Sequence, residues 1–274
     1  MAPTTPLPDF SDPPVIEVAL SVLYKSLSSL TTAHIGSLWA KFRDEFPTTE
    51  DHPPLGFPVE APAQIQQEPP KPELKMLAVL PGRTWFVSPS GTELIQVQHD
   101  RFAYNWRKQS TDVYPRYPKV RENFERHLHV FQRFESDSGL GTMSARQCEV
   151  SYVNHIIEEG GIDLGRCGDY VSLWQDSSGD RFLPQAERVG FNTSYTMSDS
   201  HGHFQGRLHV SLKPATLKAN GWSILVLTLT ARGEPIVEGG GGVMGFLDLG
   251  REWIVCAFAE ITTPKMHTAW GRLE

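Results

Sequence analysis

Three strand-like runs stand in a row with no helix between them: "RTWFVSP", "ELIQVQ" and "RFAYNWRK", all within residues 83–108. The turn signals "SPSG" and "HD" separate them. Parallel neighbours need a crossover of about a dozen residues, so strands this close must pair antiparallel. A long amphipathic helix is predicted next, from about Lys119 to Phe134, with Val120, Phe124, Leu128 and Phe131 on its buried stripe. Before the three runs, "PPVIEVALSVLY" alternates as a strand with Ile16, Val18, Leu20 and Val22 on one face. "LTTAHIGSLWAKFRDEF" then reads as a helix capped at Thr31 or Thr32, with Ile35, Leu38, Trp39, Phe42 and Phe46 on one stripe.

The order then starts again. "RQCEVSYVNHIIE" is a strand and "GDYVSLW" a short helix. "RVGFNTSYTM", "GRLHVSLKPA" and "WSILVLTLTAR" are three strands. "VMGFLDLGREWIVCAFAEI" is a long helix whose stripe holds Phe246, Leu249, Trp253, Ala257 and Phe258. The expected fold is α+β: one large, curved antiparallel sheet packed on two long helices, with one face covered and one partly open. It is a single compact unit of two pseudo-repeated halves, 1–144 and 145–274, each strand, helix, three strands, helix. The proline-rich stretch from Pro47 to Pro72 reads as a surface crossing without regular structure.

Hydrophobic residues form 39% of the 274, enough for one large core or two small ones. A net charge of −7 and a pI near 5.8 argue against double-stranded DNA as partner, because such binders neutralise phosphates with a basic face. No apolar run approaches the roughly 18 residues that span a bilayer, and "MAPTTPLPDF" has neither the basic nor the apolar region of a secretory signal. Cys148, Cys167 and Cys256 make no metal or disulfide spacing, which points to a reducing cytoplasm.

The polar pattern raises the functional question. Gln96 and Gln98 share one side of their strand, while Asn105 and Arg107 share the side opposite Phe102, Tyr104 and Trp106. Tyr152 and Asn154 share a side of the strand that opens the second half, and His155 takes the other. Amides and a guanidinium suit carboxylate, phosphate or peptide ligands. Gln96, Gln98, Asn105, Arg107, Tyr152, Asn154 and His155 are therefore the candidate ligand or partner surface. The alternative role for such a row is to fix strand register.

Other groupings carry less. His155 and Glu149 share a face but stand six residues apart, roughly 20 Å along a strand, so neither can orient the other. Asp199, His201, His203 and His209 have no fixed metal spacing, and His127 and His129 point apart on a helix. "EGGGGVMG" lacks the Lys-Ser/Thr of a phosphate loop and reads as a connector. No catalytic residue, metal or cofactor is assigned. Arg107, Lys108, Arg116, Lys119 and Arg121, interleaved with Tyr114 and Tyr117, suit single-stranded nucleic acid.

The blocks "PPVIEVALSV", "LTTAHIGSLWAKFRDEFP", "QVQHDRFAYNWR" and "QCEVSYVNHI" resemble, in order and spacing, a sporadically distributed prokaryotic protein family of unknown function. The resemblance covers Pro13 to about Ile157 closely and the remainder loosely; "GGGG" at 239–242 departs from its pattern. It implies a cytoplasmic prokaryotic protein in a patchy genetic context such as a toxin–antitoxin or phage-defence locus, and it assigns no residue a role. The sequence thus favours a non-catalytic binding or regulatory protein, using a polar sheet face or a sheet–helix cavity for a small ligand or protein partner. A homodimer is compatible with it. The competing readings are a hydrolytic enzyme centred on His155 and a nucleic-acid accessory factor using Arg107 to Arg121.

Overall fold

The computed structural model describes residues 6–56, 59–62, 82–175, 182–236 and 241–273. Its elements in chain order are β1 (Asp9–Phe10), β2 (Val15–Tyr24), α1 (Thr32–Phe42), β3 (Thr48–His52), β4 (Arg83–Val87), β5 (Glu93–Gln98), β6 (Arg101–Arg107), α2 (Tyr117–Asp137), β7 (Ala145–Ile156), a 3₁₀ turn (Cys167–Asp169), β8 (Phe191–Ser198), β9 (Phe204–Thr216), β10 (Ser223–Gly233), α3 (Gly242–Ile261), α4 (Pro264–Ala269) and β11 (Arg272–Leu273). The class is α+β. Nine strands form one sheet in the order β3-β4-β5-β6-β2-β7-β10-β9-β8, and every pairing in it is antiparallel. A second, two-stranded ribbon joins β1 to β11 and so brings the two ends of the described chain together.

Alternation decides which side of the sheet is covered. Val18, Leu20 and Val22 on β2, Phe102 and Tyr104 on β6, and Leu227 and Leu229 on β10 are buried against the helices. Phe102 stacks on Phe131 of α2 at 5.1 Å and meets Phe124 at 6.1 Å. Each such ring contributes about 1.5–3 kcal/mol by leaving water. Helix α3 approaches β7 and β10 closely at Gly250, where an added Cβ would stand 3.0 Å from Val150 Cγ2 and 3.2 Å from Ala231 Cβ. Phe42, Phe124, Phe131 and Phe258 are buried, while Trp39 and Trp253 pack on the rim of the core.

His127 sits in a cage of Phe42, Phe46 and Tyr104. Burial, assisted by the charge of Arg126, lowers its pKa to about 4, so the cage holds a neutral imidazole.

Two local expectations fail, and one helix is additional. Residues 48–52 of the proline-rich crossing form β3, because no proline falls between Pro47 and Pro53 and the run "TTEDH" is free to pair with β4. "GDYVSLW" is no α-helix: the turn at Cys167–Asp169 gives way to a bridge from Val171 to Thr262. "TTPKMHTAW" supplies an extra helix, α4, with Pro264 at its start, where the missing N–H costs nothing. Gly239 and Gly240, and residues 57–58 and 63–72 of the crossing, lie outside the described residues.

Candidate functional site

The hairpin β5–β6 turns tightly: Gln98 pairs with Arg101 and Gln96 with Ala103. That register places Gln96 diagonal to Asn105, within reach of a long amide. Gln96 Nε2 donates to Asn105 Oδ1 at 2.7 Å, and Asn105 Nδ2 donates to Glu17 Oε1 at 2.5 Å. At the far end Arg83 Nη1 donates to Gln96 Oε1 at 3.0 Å. The line runs from a cation through two amides to a carboxylate across four strands, with every dipole aligned. Asn105 is only 4% exposed. Arg107 donates to the Gly91 carbonyl at 2.7 Å and lies over the Trp85 ring.

Gln98 performs a different task. Its amide accepts from Leu55 N at 2.7 Å and donates to Leu55 O at 2.9 Å, as a neighbouring strand would. Further along the crossing, Glu60 N donates to Gln147 Oε1 at 2.7 Å. The Glu60 carboxylate then enters a charged cluster, meeting Arg207 Nη1 and His209 Nε2 at 2.6 Å each. Glu149 pairs with Arg232 beside it and stands 3.9 Å from Arg101. Burial opposes ionisation of Glu60, but hydrogen bonds and charge from His209 and Arg207 outweigh it and hold its pKa below the ordinary value. The side of the sheet away from the long helices is thus crossed by a strap and laced with polar groups bonded to one another across strands.

Tyr152 and Asn154 point the opposite way, toward the helices. They line a cavity of about 250 Å3 between the sheet, α2, α3 and the N-terminal segment. Tyr114 and Tyr152 join their hydroxyls at 3.0 Å. Asn154 Nδ2 donates to its cross-strand neighbour, the Leu227 carbonyl, at 3.1 Å. Tyr117 donates to Asp248, which also takes Arg121. Arg251 of α3 lies over the Tyr117 ring, 5.1 Å from its centroid, and against the Tyr152 hydroxyl. Burial is the main cause that raises the pKa of Tyr114, Tyr117 and Tyr152, the last to about 12, so all three keep their protons at neutral pH.

Arg116 closes the cavity from the α2 side. It holds a positive φ of 71°, uncommon for a residue with a Cβ. Its guanidinium bonds Asp9 Oδ1 and Phe10 O at 2.9 Å and Ser11 O at 3.2 Å, fixing the segment that forms one wall. Phe10 is seated edge-on to Phe258 at 5.4 Å.

The seven sequence candidates therefore do not form one surface. Gln96, Gln98, Asn105 and Arg107 share the strap-side face, and among these Gln96 and Asn105 meet directly. Tyr152 and Asn154 belong to the cavity on the other face. His155 returns to the strap side opposite Val226, where burial lowers its pKa, and no described carboxylate pairs with it. Asp199, His201 and His203 make a turn stapled by the Asp199 carboxylate. Among the described residues no cluster of three His, Cys, Asp or Glu is placed to hold a metal, and no helix is long and apolar enough to cross a membrane. Sequence reading missed Arg251 and Tyr114 as cavity residues, and Glu60, Gln147, Arg207 and Arg232 as the strap's fastening.

In comparisons with family models, curated proteins and solved structures, nothing matches the chain.

Proposed function

We propose that the protein is a non-catalytic binding module that holds a small molecule in the cavity between sheet and helices. The observation that carries this reading is the convergence of Tyr114, Tyr152, Asn154 and Arg251 on one half-open cavity of about 250 Å3. Ligand sites are typically concave, mostly apolar and equipped with a few placed polar groups. The volume lies just under the ~300–1,000 Å3 of drug-sized sites, which suits a small metabolite.

The competing readings have less support. The cations of the Arg107 to Arg121 segment are largely engaged within the chain: Arg116 by Asp9, Lys119 by Glu122, and Arg121 by Glu125 and Asp248. His155 has no acid partner in reach among the described residues.

On this reading the chain is a cytoplasmic regulatory protein related to the sporadically distributed prokaryotic family and acting in a defence or toxin–antitoxin setting. An internal duplication fits the strand order, which runs β2-β6-β5-β4 in one direction from the centre and β7-β10-β9-β8 in the other. The test is native mass spectrometry of the protein purified from its own host, with melting followed across a library of small metabolites. The expected result is a retained or stabilising compound whose effect is lost on filling the cavity with Val255→Trp. A ligand unaffected by that substitution would place binding elsewhere.

A further inference from the structure

Arg251 is the group on the cavity wall whose chemistry the protein leaves incomplete. Its Nε is buried and has no hydrogen-bond partner. The carboxylates nearby are already taken: Asp248 by Arg121 and Tyr117, and Asp9 by Arg116. No described carboxylate forms an ion pair with Arg251. A buried carboxyl in that position would escape by taking a proton, as Glu135 of α2 does, where burial raises the pKa to about 7. An arginine has no such escape, because it stays protonated at any pH a folded protein meets. The Tyr117 ring beneath it softens the cost without supplying an acceptor.

A second donor lies beside it. In the Tyr114–Tyr152 pair one proton occupies the space between the two oxygens, 3.0 Å apart. The other hydroxyl proton is left to turn elsewhere. Val15, Ile254 and Phe258 make the remaining wall apolar. The cavity therefore offers one unpaired cation, one spare O–H donor and an apolar body. A dianion would bring a charge that nothing there neutralises, and an uncompensated buried charge is strongly unfavourable.

We infer that the cavity takes a small monocarboxylate with an apolar body, its carboxylate paired with Arg251 and hydrogen-bonded by the Tyr114–Tyr152 pair. This rests on the cavity reading above and names the ligand class for it. A carboxylate in the cavity would meet the Arg251 guanidinium where that side chain lines the wall, in a charge-assisted hydrogen bond.

The test measures thermal melting of the full chain with millimolar benzoate, phenylacetate and hexanoate, with the matching neutral amides, and with phthalate as a dianion. The monocarboxylates should raise melting in a concentration-dependent way, and the amides and phthalate should not. Arg251→Gln should weaken the monocarboxylate response at least tenfold, with folding checked by circular dichroism. Should that variant fail to fold, the double replacement Tyr114→Phe/Tyr152→Phe removes both hydroxyl donors and should weaken the same response several-fold. Amides that stabilise as well as the acids would overturn the charge assignment and leave the cavity reading standing. A protein that responds to neither series, while other compounds stabilise it through the cavity, would overturn the carboxylate assignment alone. No stabilising compound of any charge would overturn both.

Discussion

The two faces of the sheet treat polar side chains in opposite ways. On the strap side, Arg83, Gln96, Asn105 and Glu17 form a line in which both amides have a donor and an acceptor engaged, and Glu60 closes a cluster with Arg207 and His209. Arg83 Nε and Trp85 Nε1 are left over on that face, the Arg83 guanidinium being fixed by Gln96 and stacked on Trp85, and neither residue lines the cavity. On the helix side, Arg251 has no described carboxylate as an ion-pair partner, and it lines the cavity together with the Tyr114–Tyr152 pair. Saturated polar groups fix strand register and hold the strap; unsaturated ones beside a cavity are suited to a ligand. The same residue types thus carry different meaning according to whether their hydrogen-bonding capacity is met within the chain.

The sharpest way to break this contrast is at Glu60. Glu60→Ala strands Arg207 and His209, and the strap loses its fastening. A fully buried pair broken in this way costs 3–5 kcal/mol; with His209 a third exposed, about 2–4 kcal/mol is expected in urea unfolding at pH 7. The sign of the pH dependence follows from the lowered pKa of Glu60. Its contribution is present above the unfolded carboxylate value of 4.5 and is lost as pH falls through the lower folded value. The gap between the wild type and Glu60→Ala should therefore close in acid.

Asn105→Ala comes next. It leaves Gln96 without its acceptor and Glu17 without its donor in a buried setting, and should cost about 1–3 kcal/mol. A variant that keeps wild-type unfolding but loses cellular function would instead return Asn105 and Arg107 to a binding role.

A smaller effect of opposite sign is expected at Glu135, an unsatisfied group on the helix side away from the cavity. Its folded pKa of about 7 exceeds the ordinary 4.5, so its carboxyl weakens the fold as pH rises from 4.5 through 7. Glu135→Gln should stabilise by about 1–2 kcal/mol at pH 8 and leave unfolding at pH 4 unchanged.

Much of the architecture was legible from periodicity. The alternation of Phe102, Tyr104 and Trp106 against Asn105 and Arg107 predicts which side of β6 meets α2, and the stripe Val120, Phe124, Leu128, Phe131 predicts the helix that meets it. The strand β3 was hidden because "TTEDH" is polar on both sides and its pairing depends on β4, more than thirty residues away. The site was half legible. Tyr152 and Asn154 are cavity residues, but alternation along one strand cannot say that the face they share is the one opposite Gln96 and Asn105. That depends on how β2 joins β6 to β7, with a register shift between Val15 and Glu17. Arg251 could not be found from its own helix, since what distinguishes it is the prior commitment of Asp248 and Asp9 to other cations. Glu60 lay in a stretch without pattern, and its partners Arg207 and Arg232 sit on strands about 150 residues later in the chain.

The smallest stability effect belongs to the cavity, and it tests the contrast most directly. Asn105→Ala and Arg251→Gln are melted side by side, in the same buffer at pH 7 and without added ligand. Asn105→Ala should melt about 2–8 °C below the wild type, from the estimated cost and the usual conversion for a chain of this size. Arg251→Gln, which removes a half-buried cation that has no described carboxylate partner, should melt at or slightly above the wild type. A fall for Arg251→Gln as large as that for Asn105→Ala would mean that the cation is already satisfied by the fold, and the two faces would then not differ in the way described.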